Sequence, residues 1–162
     1  MTRTSMRRRF GAGAIGAVGL MALFVAHPSV AGASGSEPTC HGETATIVGT
    51  SGADDLTGTS GHDVIVGLGG NDVIDGKGGN DTICGGGGAD TISGGRGDDT
   101  IYGGADSDSL SGDGDDDSLY GGGGDDSIDG GAGVDDEHGG SGSDDCDGAA
   151  CQGDDGGSES GS

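Results

Sequence analysis

The chain has no tryptophan, and only two phenylalanines and two tyrosines among its 162 residues. Both phenylalanines, Phe10 and Phe24, stand near the amino terminus, so Tyr102 and Tyr120 serve everything after them. An ordinary globular core, which draws much of its buried area from aromatic rings, is excluded, and the length allows at most one ordinary domain. Positive charge is almost as scarce. Of six Lys and Arg residues, Arg3, Arg7, Arg8 and Arg9 precede residue 10, whereas all 29 acidic residues lie at Glu37 or later and face only Lys77 and Arg96. Such a field repels nucleic acid and anionic membrane and concentrates cations. Low hydrophobicity with this charge also marks a chain that stays disordered until something neutralises it. Catalytic signatures are missing too: there is no H-E-x-x-H and no G-x-S-x-G, and the expected protein is not an enzyme. His41, His62 and His138 read as exposed loop residues. Glycine runs such as Gly67-Leu68-Gly69-Gly70 precede no helix, which removes the phosphate-binding fingerprints.

What is abundant is glycine (43 residues) and aspartate, and both fall into register. From Gly49 to Asp147 a nine-residue unit repeats eleven times without a slip, as in Gly94-Gly95-Arg96-Gly97-Asp98-Asp99-Thr100-Ile101-Tyr102. Position one is always glycine. Position six is always aspartate: Asp54, Asp63, Asp72, Asp81, Asp90, Asp99, Asp108, Asp117, Asp126, Asp135 and Asp144. Position eight is aliphatic from Leu56 to Ile128 and becomes Glu137 and Cys146 in the last two units. Aspartate supplies 23 of these 99 residues, so eleven matches in one register have a chance of roughly one in a million. A merely acidic, glycine-rich low-complexity tract does not explain that register.

Around the repeats, residues 1–33 read as a secretory signal peptide. Arg7-Arg8-Arg9 leads into an apolar run from Phe10 to Ala26, Pro28 breaks it, and Ala31-Gly32-Ala33 has the small-x-small form of a cleavage site. The competing reading, a retained membrane helix, meets a run that is short for a span of about 20 residues and thinned by glycine. The expectation is a secreted, extracellular protein with no membrane insertion after cleavage. Residues 34–48 form a lead-in whose Ala45-Thr46-Ile47-Val48 supplies a first strand and caps the stack. Residues 148–162 form an acidic Gly/Ser tail, expected to be disordered.

Within a repeat, six glycine-rich positions ending in aspartate suit a tight turn. The last three suit a very short strand whose middle side chain points inward. Two repeats then close one rung of an all-β, right-handed parallel β-helix, a β-roll, and each repeat stacks on the next but one. Stacked carboxylates a strand spacing of about 4.8 Å apart repel unless a cation lies between them. Carboxylates and backbone carbonyls form a hard all-oxygen ligand set, which a flexible cage offers to Ca²⁺ rather than Mg²⁺. Eleven turns in two columns give at most about nine stacked pairs, hence at most about nine ions. A core one side chain thick is too thin to offset the entropy of ordering the chain, so ion binding and folding are expected to be a single event. An EF-hand is the nearest rival: Asp113, Asp115 and Asp117 fit loop positions 1, 3 and 5, but Ser118 and Gly124 stand where Gly and Glu are required.

The repeated G-G-x-G-x-D-x-U-x pattern resembles the RTX, or haemolysin-type, calcium-binding nonapeptide, and the resemblance covers 99 of 162 residues. It implies that each position-six aspartate bridges calcium ions, with backbone carbonyls of the turns, including those of Gly67, Gly76, Gly85, Gly94, Gly103 and Gly121, completing the shell. The lead-in Cys40-His41-Gly42-Glu43-Thr44-Ala45-Thr46-Ile47-Val48 is similar to secreted actinobacterial members of the group. Departures stand at position two (Thr50, Thr59, Leu68, Lys77, Asp113) and at position four (Asp106, Asp115). Glu137 and Cys146 suggest fraying or capping of the roll.

Four cysteines in an exported chain point to disulfides. Of three pairings, Cys40–Cys84 with Cys146–Cys151 is preferred, each closing one end of the stack, and no C-x-x-C suggests a metal site. Two function classes follow. One is a secreted calcium-binding protein. The other is a calcium-dependent surface or matrix protein, structural or adhesive, that uses the roll as scaffold for a cell-surface or self-association partner. Calcium-dependent retention on cells would favour the second.

Overall fold

The computed structural model describes residues 37–147 and Cys151; the expected signal peptide (1–33), the start of the lead-in and the remainder of the tail lie outside the described residues. The repeat region is an all-β parallel β-roll. One six-stranded sheet carries β3 (Ile47–Val48), β5 (Val64–Val66), β7 (Thr82–Gly87), β9 (Thr100–Ala105), β11 (Ser118–Gly123) and β13 (Asp136–Ser141). The opposite sheet carries β4 (Asp55–Thr57), β6 (Val73–Asp75), β8 (Thr91–Arg96), β10 (Ser109–Gly114), β12 (Ser127–Asp129) and β14 (Asp145–Cys146). Every pair within these sheets is parallel, and each residue pairs with the one 18 positions on, so Ile83 lies beside Ile101 and Ile92 beside Leu110. The nine-residue period therefore becomes an 18-residue coil. Among the described residues no helix is long and apolar enough to cross a membrane.

The core is two facing ladders of position-eight side chains. Ile65, Ile74, Ile83, Ile92, Ile101, Leu110, Leu119 and Ile128 are each at most 2 % exposed, with Ile47, Leu56 and Cys146 packed against their ends. Each such side chain contributes ~1.5–3 kcal/mol of burial. Nothing backs the ladders except each other, because positions seven and nine point outward from so thin a roll.

Outward does not always mean exposed. β1 (Thr39–Cys40) and β2 (Glu43–Thr44) form an antiparallel hairpin, and Cys40 bonds to Cys84 in β7, the third strand of its sheet. The hairpin thus doubles back over the outer face of the first sheet, burying Cys40, Val64 and Val66 in a second small cluster. This disulfide clamps a face and does not close an end, contrary to the expectation that led to its choice. Cys146–Cys151 closes a short loop at the last described coil.

Farther along the same face, position nine places Tyr102, Tyr120 and His138 in lateral register. Their rings stack with centroids 4.9 and 4.8 Å apart, and His41 from the hairpin covers Tyr102 at 3.6 Å. His138 is therefore a half-buried strand residue, not an exposed loop residue. Parallel register brings it against Tyr120, and its Nε2 lies 3.1 Å from Asp136. His41 and His62 are exposed. Glu137 holds an inward position: its Oε1 accepts a 2.7 Å hydrogen bond from the Gly130 amide, while Oε2 is buried without a partner.

Candidate metal centre

Turns alternate between two columns. One leads from the first sheet to the second and holds the turns beginning at Gly49, Gly67, Gly85, Gly103, Gly121 and Gly139; the other returns and holds those beginning at Gly58, Gly76, Gly94, Gly112 and Gly130. Down each column the position-six aspartates form a continuous chain. Oδ1 of each one from Asp72 to Asp144 accepts a hydrogen bond from the amide of the aspartate 18 residues earlier, at 2.7–3.0 Å. This fixes the carboxylates inside the turns: Asp72, Asp81, Asp90, Asp99, Asp108, Asp117 and Asp126 are all at most 3 % exposed.

Their other oxygen is the informative one. Oδ2 of these seven, and of Asp144, is buried with no hydrogen-bond partner. An unpaired buried carboxylate oxygen is costly, and here the same vacancy of partners recurs at 18-residue intervals. Position-one glycine shows what lies beside it. A Cβ built on Gly76 would stand 2.7 Å from Asp81 Oδ2 and 2.6 Å from the Gly94 carbonyl oxygen of the next coil. Gly85, Gly103, Gly112 and Gly121 show the same convergence of a carboxylate and the following glycine carbonyl. Position one is thus glycine because a side chain would fill the cradle where two acceptors meet.

Two acceptors cannot satisfy each other, and a cation satisfies both. No group of three or more His, Cys, Asp or Glu side chains suited to a metal occurs among the described residues, so carboxylates alone do not build the site. The donor set is one carboxylate oxygen per turn plus backbone carbonyls, all hard oxygen, which suits Ca²⁺.

The turns that do this share a backbone. Position two is left-handed in every turn from the third onward, and position four in each of them except at Gly133, as at Gly95 (φ 110°) and Gly97 (φ 107°). Non-glycine residues are held there as well: Leu68, Lys77, Asp106, Asp113 and Asp115 have φ between 72° and 79°, at a cost of roughly 1–2 kcal/mol each. The departures from glycine therefore do not open these turns.

The first two turns differ. No residue from Gly49 to Asp63 has positive φ. Asp54 Oδ2 accepts from the Thr50 amide at 2.6 Å and its hydroxyl at 2.8 Å; Asp63 Oδ2 accepts from the Thr59 amide at 2.7 Å and its hydroxyl at 2.8 Å. Asp135 and Asp144 occupy the last turn of each column, and no coil follows them among the described residues. Position-one carbonyls of Gly130 and Gly139 reach the cradles of the preceding coils and were not among the glycines singled out by sequence. The strict nine-residue register was the signal that could have found them.

Burial raises the pKa of these acids. Asp99 and Asp108 are pushed up to about 7 and Asp117 to about 6, chiefly by desolvation, with the amide hydrogen bond of the preceding coil opposing it and neighbouring aspartates adding to it. Asp81, Asp90 and Asp126 are raised for the same leading reason. Because the folded pKa exceeds the unfolded one, protonation stabilises the ion-free roll fully below pH ~4, and that contribution is lost as pH rises through about 7. An ion must displace these protons. Calcium affinity at the Asp99 and Asp108 turns is therefore expected to fall about tenfold per pH unit below 7, measurable by calcium titration at pH 8, 7 and 6.

A parallel β-roll whose turns point buried carboxylates and carbonyls at one another defines a class, the cation-binding β-solenoids. The chain belongs to the RTX calcium-binding nonapeptide repeat family: the family model matches in four copies, at residues 48–83, 85–119, 104–137 and 111–146, together more than half of the chain. Comparisons with curated proteins and with solved structures found no match.

Proposed function

We propose that this is a secreted calcium-binding protein, a binding protein rather than an enzyme, whose roll folds as it takes up ions. The observation that carries the reading is the row of buried, partnerless Oδ2 atoms beside the position-one glycines, where at Gly76, Gly85, Gly103, Gly112 and Gly121 the next coil's carbonyl converges on the same point. In this reading the position-six aspartates whose Oδ2 has no partner, such as Asp81, Asp90, Asp99 and Asp108, hold the ions through that atom, and position-one carbonyls such as those of Gly85, Gly94, Gly103 and Gly121 complete the shell with other turn carbonyls. Calcium supplies the positive charge that lets carboxylates stack within a strand spacing of one another. Secretion accords with the leader-like residues 1–33 and with two disulfides, which persist in oxidising compartments. A buffering or calcium-dependent structural role outside the cell is preferred to adhesion, because among the described residues only three large hydrophobic side chains, Leu68, Val73 and Val134, are exposed. Calorimetric titration of the mature chain with calcium and with magnesium tests the reading. Multi-site uptake of calcium with little magnesium heat is the expected result, and absence of calcium uptake would refute it.

A further inference from the structure

The roll contains two kinds of turn, and the difference bears on which aspartates meet an ion. In the turns beginning at Gly49 and Gly58, position two is threonine with ordinary negative φ, so its amide and hydroxyl both point at the position-six carboxylate. The threonine hydroxyl also accepts from the position-four amide, Gly52 to Thr50 and Gly61 to Thr59, each at 3.2 Å. Asp63 is engaged at both oxygens, since its Oδ1 accepts from the Thr46 hydroxyl at 3.3 Å. Asp54 and Asp63 are absent from the carboxylates left without a partner. Their Oδ2 atoms are also drawn back from the cradle: a Cβ on Gly49 or Gly58 would stand 2.9 or 3.2 Å from them, against 2.7 Å at Gly76 and less at Gly67, Gly85, Gly94, Gly103, Gly112 and Gly121.

We infer that Thr50 and Thr59 replace the cation in the two amino-terminal turns, so that Asp54 and Asp63 bind no calcium and the roll takes seven ions instead of nine. Two donors on Oδ2 already do what an ion does for the other turns. An ion entering there would have to break both hydrogen bonds and leave the threonine amide facing its positive charge. In the later turns, where position two is left-handed, no position-two amide or side chain bonds to the buried Oδ2. Seven is also the number of partnerless position-six carboxylates that have a further described coil stacked beyond them. The selecting residue is therefore position two: threonine closes a turn on itself, and a left-handed residue opens it to the ion.

The inference rests on the calcium reading above, and the test separates the two. Calcium stoichiometry is measured by equilibrium dialysis at saturating calcium on the wild type, Asp54→Asn, Asp63→Asn, Asp99→Asn and the double variant Thr50→Gly/Thr59→Gly, with circular dichroism confirming the roll in each. The wild type is expected to hold seven ions, the Asp54 and Asp63 variants to remain at seven, and Asp99→Asn to lose at least one. The double glycine variant is expected to gain up to two. Nine ions in the wild type, or loss of an ion from Asp63→Asn while it stays folded, would overturn the inference and leave the calcium reading standing. No bound calcium in the wild type would overturn both. Should the double glycine variant fail to fold, the Asp63→Asn and Asp99→Asn pair still decides.

Discussion

Moved into excess EDTA at neutral pH, the protein is expected to lose its β-rich circular dichroism and its cooperative thermal transition, and to regain both when millimolar calcium is restored. The expected change is the whole of the folding free energy, on the order of 5–15 kcal/mol for a domain. Without a cation, seven buried carboxylates in two columns keep an oxygen with no donor, and the effective penalty for a buried, uncompensated ion is several kcal/mol. The main core that opposes this is only eight buried aliphatic side chains in two facing ladders. Acid should soften the effect, since Asp99, Asp108 and Asp117 can hold a proton in place of a share of an ion. Identical melting in EDTA and in calcium chloride would sink the coupling of folding to binding.

The second large effect is expected from a single methyl group. In Gly103→Ala the new Cβ would lie 2.7 Å from the Gly121 carbonyl oxygen and overlap Asp108 Oδ2. A backbone carbonyl cannot step aside as a flexible side chain can, so the coil must shift. The expected loss is about 3 kcal/mol or more, together with one bound calcium. Gly87→Ala, two coil positions beyond Gly85, is the control: nothing lies within 4 Å of its added Cβ and its φ is not left-handed. That variant should stay within about 0.5 kcal/mol of the parent. Chemical unfolding in calcium, with stoichiometry read alongside, compares the two. Equal stability of the variants would remove the cradle as the reason for glycine at position one.

Much of the architecture was legible because a nine-residue period admits few solutions. Glycine at position one, aspartate at position six and an aliphatic at position eight assign a turn, a buried acid and an inward side chain, and Ile83, Ile92 and Ile101 stand where that pattern puts them. Register could not distinguish Thr50 from Leu68, both of which break the glycine rule at position two. One folds back onto its own carboxylate and the other is held left-handed. Nor could it show that Val64 and Val66, at nominally outward positions, lie under the Cys40 hairpin.

The sequence by itself determined the coil, its all-β parallel stacking and the family, because these follow from identical short-range geometry repeated every nine residues. The tertiary structure alone decided which carboxylate oxygens lack a donor, where the Cys40–Cys84 bridge lies, and that His41, Tyr102, Tyr120 and His138 form one stack. The bridge and the ring stack depend on groups 18 or more residues apart and on the hairpin folding across the sheet, which no local pattern of residues encodes. The donors to Asp54 and Asp63 lie only four residues away, but whether they bond depends on the backbone conformation of the turn.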